Sequence, residues 1–174
     1  MTMRIVAGSR KGHTIHAPKG LATRPTSDRV REAAFNLIGP VEGASVLDLY
    51  AGSGAMGLEA LSRGAARVHF VESDPVACRT IQRNLEKLRL HGRVTCGDVL
   101  AALACEPQSY DLVLADPPYE LTDHSVLARY LPRVLAEDGL VVLETAAKVE
   151  PELPLALRTS RRYGSARLTL YEHP

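Results

Sequence analysis

Val46-Leu-Asp-Leu-Tyr-Ala-Gly-Ser-Gly-Ala-Met-Gly57 is the stretch that decides the fold. Val46, Leu47 and Leu49 read as the end of a short buried strand. Gly52, Gly54 and Gly57 follow with the spacing G-x-G-x-x-G and open an apolar helical run. A glycine turn between strand and helix lets backbone approach a ligand and sets that ligand at the helix N-terminus. The spacing alone would fit a dinucleotide site. Asp48 argues against it, because a carboxylate at the strand end repels pyrophosphate and suits a ligand carrying an ammonium group. The plain alternative is a tight turn with a partly satisfied Asp.

Outward from this turn the pattern repeats. The apolar spacing predicts strands over Ser45–Leu49, Arg67–Glu72, Arg93–Cys96, Asp111–Ala115 and Leu140–Thr145. Helices are predicted over about Ala55–Arg63 with Gly64 as the stop, from Pro75 to about Leu90, near Leu100, and over Asp123–Leu135 with a kink at Pro132. Leu155–Arg161 and Ala166–Tyr171, around Tyr163-Gly164, read as a closing antiparallel pair. Repeated β-α alternation means an α/β, mostly parallel sheet with helices on both faces. Ligands in such sheets sit beyond the carboxyl ends of the strands.

Those ends carry the unusual residues. Glu72 closes the second strand twenty residues after Gly52, where a carboxylate can accept from both ribose hydroxyls of a nucleoside cofactor; Asp74 is an alternative for that role. Asp98 can accept from an adenine amine, cap the helix from Val99, or do both. Asp116-Pro-Pro-Tyr119 is the most specific signal. An exocyclic amine on an aromatic base is a poor nucleophile because its lone pair is delocalised. A rigidly held carboxylate and a backbone carbonyl can accept both N–H bonds and stabilise the positive charge that grows as the nitrogen attacks. The prolines stiffen the turn and remove competing donors, and Tyr119 can stack on the base.

Ahead of the alternation, Met3–Ala7 and His13–Ala17 read as strands of a hairpin whose tip carries Arg10 and Lys11. Pro18–Pro25 reads as an irregular link. Val30, Ala33, Ala34, Leu37 and Ile38 form a helical stripe ending at Gly39-Pro40, with Thr26 or Ser27 as its N-cap. The formal net charge of +1 conceals an asymmetry. Residues 1–36 carry +5, residues 37–157 carry −7, and residues 158–174 carry +3. A basic N-terminal segment suits a polyanionic partner or a solvated surface. No apolar run approaches the roughly 18 residues of a membrane span, and the N-terminus lacks a signal-peptide core. Cys78, Cys96 and Cys105 contain no CxxC pair. Neither a disulfide framework nor a zinc site is therefore expected, and the thiols are read as reduced and mostly buried, in a cytoplasmic protein.

Asp48, Gly52-Ser53-Gly54, Glu72, Asp98 and Asp116-Pro-Pro-Tyr119 resemble, in order, the motifs of S-adenosylmethionine-dependent methyltransferases that modify exocyclic amines. Arg4-Ile-Val-Ala-Gly8 and Arg24-Pro-Thr-Ser-Asp-Arg-Val-Arg-Glu32 resemble more narrowly the RsmD family, which methylates the N2 amine of a guanine in bacterial 16S ribosomal RNA. The resemblance runs from Arg4 to Tyr171. It implies a Rossmann-like class I methyltransferase domain over 26–174, with a seven-stranded, mostly parallel sheet of order 3-2-1-4-5-7-6 whose seventh strand is antiparallel. A basic hairpin extension and linker would occupy 1–25. It also implies a cofactor, S-adenosyl-L-methionine, held by Asp48, Tyr50, Gly52, Ser53, Gly54, Glu72, Asp98 and Val99, with Thr26 over it. Asp116, the Pro117 carbonyl and Tyr119 would hold the flipped guanine, and no metal is required. Arg10, Lys11, Arg24, Arg29 and Arg31 are the candidates for RNA phosphates, with Arg29 alternatively covering the cofactor. The implied partner is ribosomal RNA within an assembling small subunit, engaged by a monomer without a membrane.

Four other readings compete. An adenine-N6 methyltransferase of DNA or RNA would use the same Asp-Pro-Pro-Tyr logic; the DNA enzymes usually add a target-recognition domain, and no segment is long enough for one. A glutamine-N5 protein methyltransferase would more often carry Asn at position 116. Asp48 and Asp116–Tyr119 disfavour a nucleotide-binding oxidoreductase, and an intact Asp-Pro-Pro-Tyr disfavours a catalytically silent RNA-binding module.

Overall fold

A computed structural model describes residues 2–20, 26–121 and 123–174. A two-stranded antiparallel hairpin comes first, β1 (Met3–Arg4) and β2 (Thr14–Ile15). Its strands are shorter than the sequence pattern predicts. Helix α1 (Asp28–Ile38) follows, capped by Ser27, whose side chain accepts from the Val30 amide.

The alternating region then runs β3 (Ser45–Leu49), α2 (Ala55–Ser62), β4 (Arg67–Glu72), α3 (Pro75–Leu88), β5 (Arg93–Cys96), α4 (Val99–Cys105), β6 (Tyr110–Ala115), α5 (Ser125–Val134), β7 (Leu135–Ala146), β8 (Ala156–Tyr163) and β9 (Ala166–Glu172). The sheet order is β5-β4-β3-β6-β7-β9-β8. Numbered within the sheet, that is the expected 3-2-1-4-5-7-6, with β9 antiparallel to both neighbours. The boundary differences have local causes. Arg89, in the left-handed region at φ 52°, ends α3 before Leu90. Helix α5 starts at Ser125, whose amide is held by the Asp123 carboxylate, and carries Pro132 in its last turn. β7 begins five residues early because Leu135 already lies beside Tyr110, ahead of an irregularity in the ladder.

The sheet separates two apolar cores. Val46, Phe70, Leu112, Leu114, Val142 and Leu170 face α1–α3 and the hairpin, which contributes Met3, Ile5 and Ile15. Leu47, Leu49, Val71, Val113 and Leu143 face α4 and α5. Alternation along each strand therefore decides which side a strand-end residue serves.

Charge holds the N-terminal segment to the first core. Glu59 on α2 and Arg31 on α1 are both fully buried. Glu59 accepts from the amides of Val6 and Ala7, each at 2.9 Å, and from Arg31 Nε at 3.3 Å and Arg63 Nε at 3.0 Å. Arg31 also donates to Asp28 and to the carbonyls of Arg4 and Thr26. Arg31 is thus a structural residue and has no surface to offer RNA, which corrects the sequence expectation. The hairpin packs on the end of α2 so closely that a Cβ on Gly8 (φ 83°) would overlap the Ser62 carbonyl.

The cysteine expectation is also corrected. Cys78 and Cys96 form a disulfide, because α3 packs on β5 and brings their Cα atoms to 5.9 Å. Only Cys78 is buried; Cys96 and the free Cys105 are exposed. Among the described residues no helix is long and apolar enough to cross a membrane.

Glu59→Ala should destabilise the protein by about 3–5 kcal/mol, because the buried Arg31 would keep only the partly exposed Asp28 carboxylate and the Val6 and Ala7 amides would lose their acceptor. Urea denaturation of wild type and variant measures this. A loss under about 1 kcal/mol, the scale of an exposed pair, would contradict the role given to the pair.

Candidate active site

The site lies at the carboxyl ends of β3, β4 and β6. After β3 the chain turns through Tyr50, Gly52 and Gly54 with positive φ values of 57°, 57° and 79°. A non-glycine residue in this region is strained, and here it is Tyr50. Gly57, in the first turn of α2, donates its amide to Asp48 Oδ2 at 2.9 Å. A Cβ at Gly57 would overlap the Phe70 ring and lie 2.9 Å from the same carboxylate oxygen. The third glycine of the motif therefore lets α2 press against β4 and supplies the main-chain donor for Asp48.

Around this turn is a cleft of about 250 Å³, lined among others by Asp48, Tyr50, Gly52, Ser53, Glu72 and Asp116. Asp48 is only 4% exposed. Burial, with Glu72 nearby, pushes its carboxyl up to about 8 despite the Gly57 hydrogen bond. Glu72 accepts from the Gly52 amide at 2.7 Å through one oxygen and from the Asp74 amide at 2.9 Å through the other. Each oxygen has a second lone pair for a ligand hydroxyl. Asp74 instead caps α3 through the Val76 amide. Asn84, fully buried on α3, donates to the carbonyls of Ser53 and His16 and accepts from the His16 amide. It ties the glycine turn to the segment after the hairpin, and Ala17 and Pro18 of that segment wall the cleft.

Asp98 caps α4 through the Ala101 amide at 2.9 Å and is exposed beside the cleft rather than lining it. Burial, then the Asp98 charge, raises the Tyr50 phenol, so the two are electrostatic neighbours. The Val99 side chain is buried in the second core and leaves only main chain to a ligand.

A second cavity, about 420 Å³, opens next to the cleft, with Arg29, Tyr119, Glu144, Arg162 and Tyr163 among its walls. Thr26 lines both spaces. Its hydroxyl donates to Glu144 Oε2 at 3.3 Å and also lies within reach of Asp116. With one proton to give, it serves one carboxylate at a time. Burial, then the charges of Glu144 and Asp48, holds the Asp116 carboxyl well above the usual carboxylate range. Burial likewise raises Glu144. Tyr119 is half exposed at the mouth. An open groove of about 770 Å³ beside α3 and the start of β5 holds no motif residue.

The basic candidates scatter. Arg29 is exposed at the second cavity. Lys11 is exposed at the hairpin tip. Arg10 donates to the carbonyls of Leu88 and Arg89, so its guanidinium is bound to the end of α3. Arg24 lies outside the described residues. Glu144, Arg162 and Tyr163 are the site residues that sequence reading missed. Glu144 was findable, since Leu140–Thr145 is a strand whose carboxyl end deserves the same inspection as the other four.

The sheet order and the motif-lined cleft at its carboxyl edge define a Rossmann-like methyltransferase domain. Comparison with known proteins narrows the class. The model of the family described as Conserved hypothetical protein 95 (Cons_hypoth95, the RsmD family) matches residues 3–172, and the chain belongs to that family. It is 38% identical to the Putative rRNA methyltransferase YlbH of Bacillus subtilis, covering 98% of each chain. It is 36% identical to Ribosomal RNA small subunit methyltransferase D of Escherichia coli K12, over 87% of this chain and 78% of that one. The solved structure of the putative methyltransferase yhhF from Escherichia coli superposes with a TM-score of 0.89 at 33% identity, covering 99% and 98% of the two chains.

A raised carboxyl makes folding pH-dependent with a definite sign. The folded state holds the Asp48 proton more tightly than the unfolded state, so this contribution is full below the ordinary carboxylate range and is lost as pH rises through about 8. Between pH 5 and 8 the wild type should lose on the order of 2–5 kcal/mol more stability than Asp48→Asn. Parallel pH slopes for the two proteins in urea denaturation would show that Asp48 is not buried as described.

Proposed function

We propose that the protein transfers a methyl group from S-adenosylmethionine to the exocyclic N2 amine of a guanine in small-subunit ribosomal RNA. The observation that carries this is the position of Asp116. It lines the motif cleft while its neighbour Tyr119 lines the adjoining cavity, so one four-residue turn serves both spaces.

The donor set fits the cofactor. Asp48 is a buried carboxylate on the cleft wall with a main-chain amide as its hydrogen-bond donor, which suits a cationic group. Glu72, braced by two amides, is ready for ribose hydroxyls, and the Gly52–Gly54 backbone allows close approach. Asp98, beside Tyr50, is the candidate for the adenine amine, and Thr26 closes over the cleft. When bound, S-adenosylmethionine supplies an electrophilic methyl group on a sulfonium.

The chain's own residues then do two things. Asp116 and the Pro117 carbonyl accept the two N–H bonds of the target amine, drawing it out of conjugation and offsetting the charge it gains. Tyr119 and the cavity wall hold the flipped base so that attack needs only proximity and alignment. Lys11 and Arg29, with Arg162 at the cavity, are the phosphate contacts of this reading. The substrate is ribosomal RNA, bound by a monomer in the cytoplasm during small-subunit assembly.

Purified protein, labelled methyl donor and unmodified small-subunit RNA test the reading, with label expected in N2-methylguanosine after digestion. Label in N6-methyladenosine would establish the adenine alternative instead. In single turnover at saturating cofactor, Asp116→Ala should cost about 10²–10³ in rate, with Asp116→Asn intermediate and cofactor affinity close to normal. Retention of more than about a tenth of the rate by Asp116→Ala, far above that expectation, would reduce Asp116 to a turn residue.

A further inference from the structure

We infer that Glu144 is the specificity-determining residue of the target pocket, accepting the N1–H of guanine while Asp116 holds the N2 amine. The inference rests on the guanine-N2 reading above.

The sheet puts the two carboxylates together. β6 and β7 are parallel, with Ala115 beside Leu143, so Asp116 and Glu144 are the next residues of adjacent strands. Leu114 and Val142, two positions earlier, both face the α1–α3 core, and alternation sends Asp116 and Glu144 to that same side. Both carboxyls are in reach of Thr26, and the Glu144 charge helps to raise the Asp116 carboxyl. Glu144 is in the wall of the second cavity along with two tyrosines and two arginines. Aromatic faces there can stack on a base, and guanidinium groups can take its phosphates.

Base chemistry then separates the purines. Guanine presents N1–H and the N2 amine side by side on its Watson–Crick edge, three donors in a row. Two neighbouring carboxylates and the Pro117 carbonyl are acceptors for all three. Adenine has an N6 amine but places the N1 lone pair beside it, so with its amine on Asp116 it would turn that lone pair toward Glu144. Burial raises the Glu144 carboxyl and works against its ionised form, while hydrogen bonds donated by Thr26 and by guanine N1–H favour that form. Adenine offers no such donor, and the ionised carboxylate repels its lone pair. A carboxylate that reads N1–H therefore selects against adenine without touching the methyl-transfer geometry.

2-Aminopurine is the discriminating probe. It keeps the 2-amine and lacks the N1–H. RNA carrying guanine or 2-aminopurine at the methylated position, once mapped, is assayed with wild type and Glu144→Gln. A charged hydrogen bond corresponds to on the order of 10- to 150-fold, and wild type should prefer guanine by that factor in kcat/KM. Glu144→Gln, whose amide can donate to N1, should shrink the preference to within about threefold, because the charged hydrogen bond that separates the two bases is gone, with calorimetric cofactor affinity unchanged. If Glu144→Gln fails to fold, Glu144→Asp carries the test, because its shortened side chain should also narrow the preference. An unchanged guanine preference in a folded, cofactor-binding variant overturns the role of Glu144 and leaves the methylation reading standing. Failure of wild type to methylate guanine N2 at all overturns both.

Discussion

A single buried carboxylate, Glu59, determines how the first third of the chain can sit. It has no solvent to satisfy it, so it must collect donors. It finds them in two hairpin amides and two guanidinium groups. That requirement brings the hairpin, α1 and α2 to one point. Because α2 starts at the glycine turn and α1 starts beside Thr26, the same pair also fixes the two edges of the cleft. The basic N-terminal segment is therefore structural before it is anything else. Arg31 is consumed inside it, Arg10 is bound to the end of α3, and the segment after the hairpin walls the cleft.

The site itself follows from alternation and register. Asp48, Asp116 and Glu144 come from adjacent strands β3, β6 and β7 and lie on one side of the sheet near its carboxyl edge. Burial raises all three carboxyls, and the charges of Glu144 and Asp48 add to the rise at Asp116, so gathering them here carries an electrostatic cost. A cation in the cleft and amine donors in the cavity would relieve it. The strained Tyr50 backbone at the same place is consistent with a site selected for function rather than stability.

Much of this was legible because buried parallel strands are short apolar runs and glycine turns are explicit. The bounds of β3, β4 and β5 match the sequence pattern, as does the strand order implied by the family resemblance. The motif residues Asp48, Gly52, Glu72 and Asp116 do converge on one cleft. What was not legible depends on contacts far apart in sequence. An arginine reads the same whether exposed, like Arg29, or buried against Glu59, like Arg31. Cysteine spacing does not reveal that α3 lies over β5. The early start of β7 depends on Tyr110, a residue of another strand. Glu144 carries no motif in the sequence, and its place beside Asp116 depends on the register that sets Leu143 against Ala115.

The most direct measurement of the central claim is a mass-spectrometric map of modified nucleosides in small-subunit ribosomal RNA from cells with and without this protein. The account predicts that one N2-methylguanosine disappears when the protein is absent and returns with the wild-type gene but not with Asp116→Ala. An unchanged set of N2-methylguanosines, with loss of an N6-methyladenosine or of no methylated base, would contradict it.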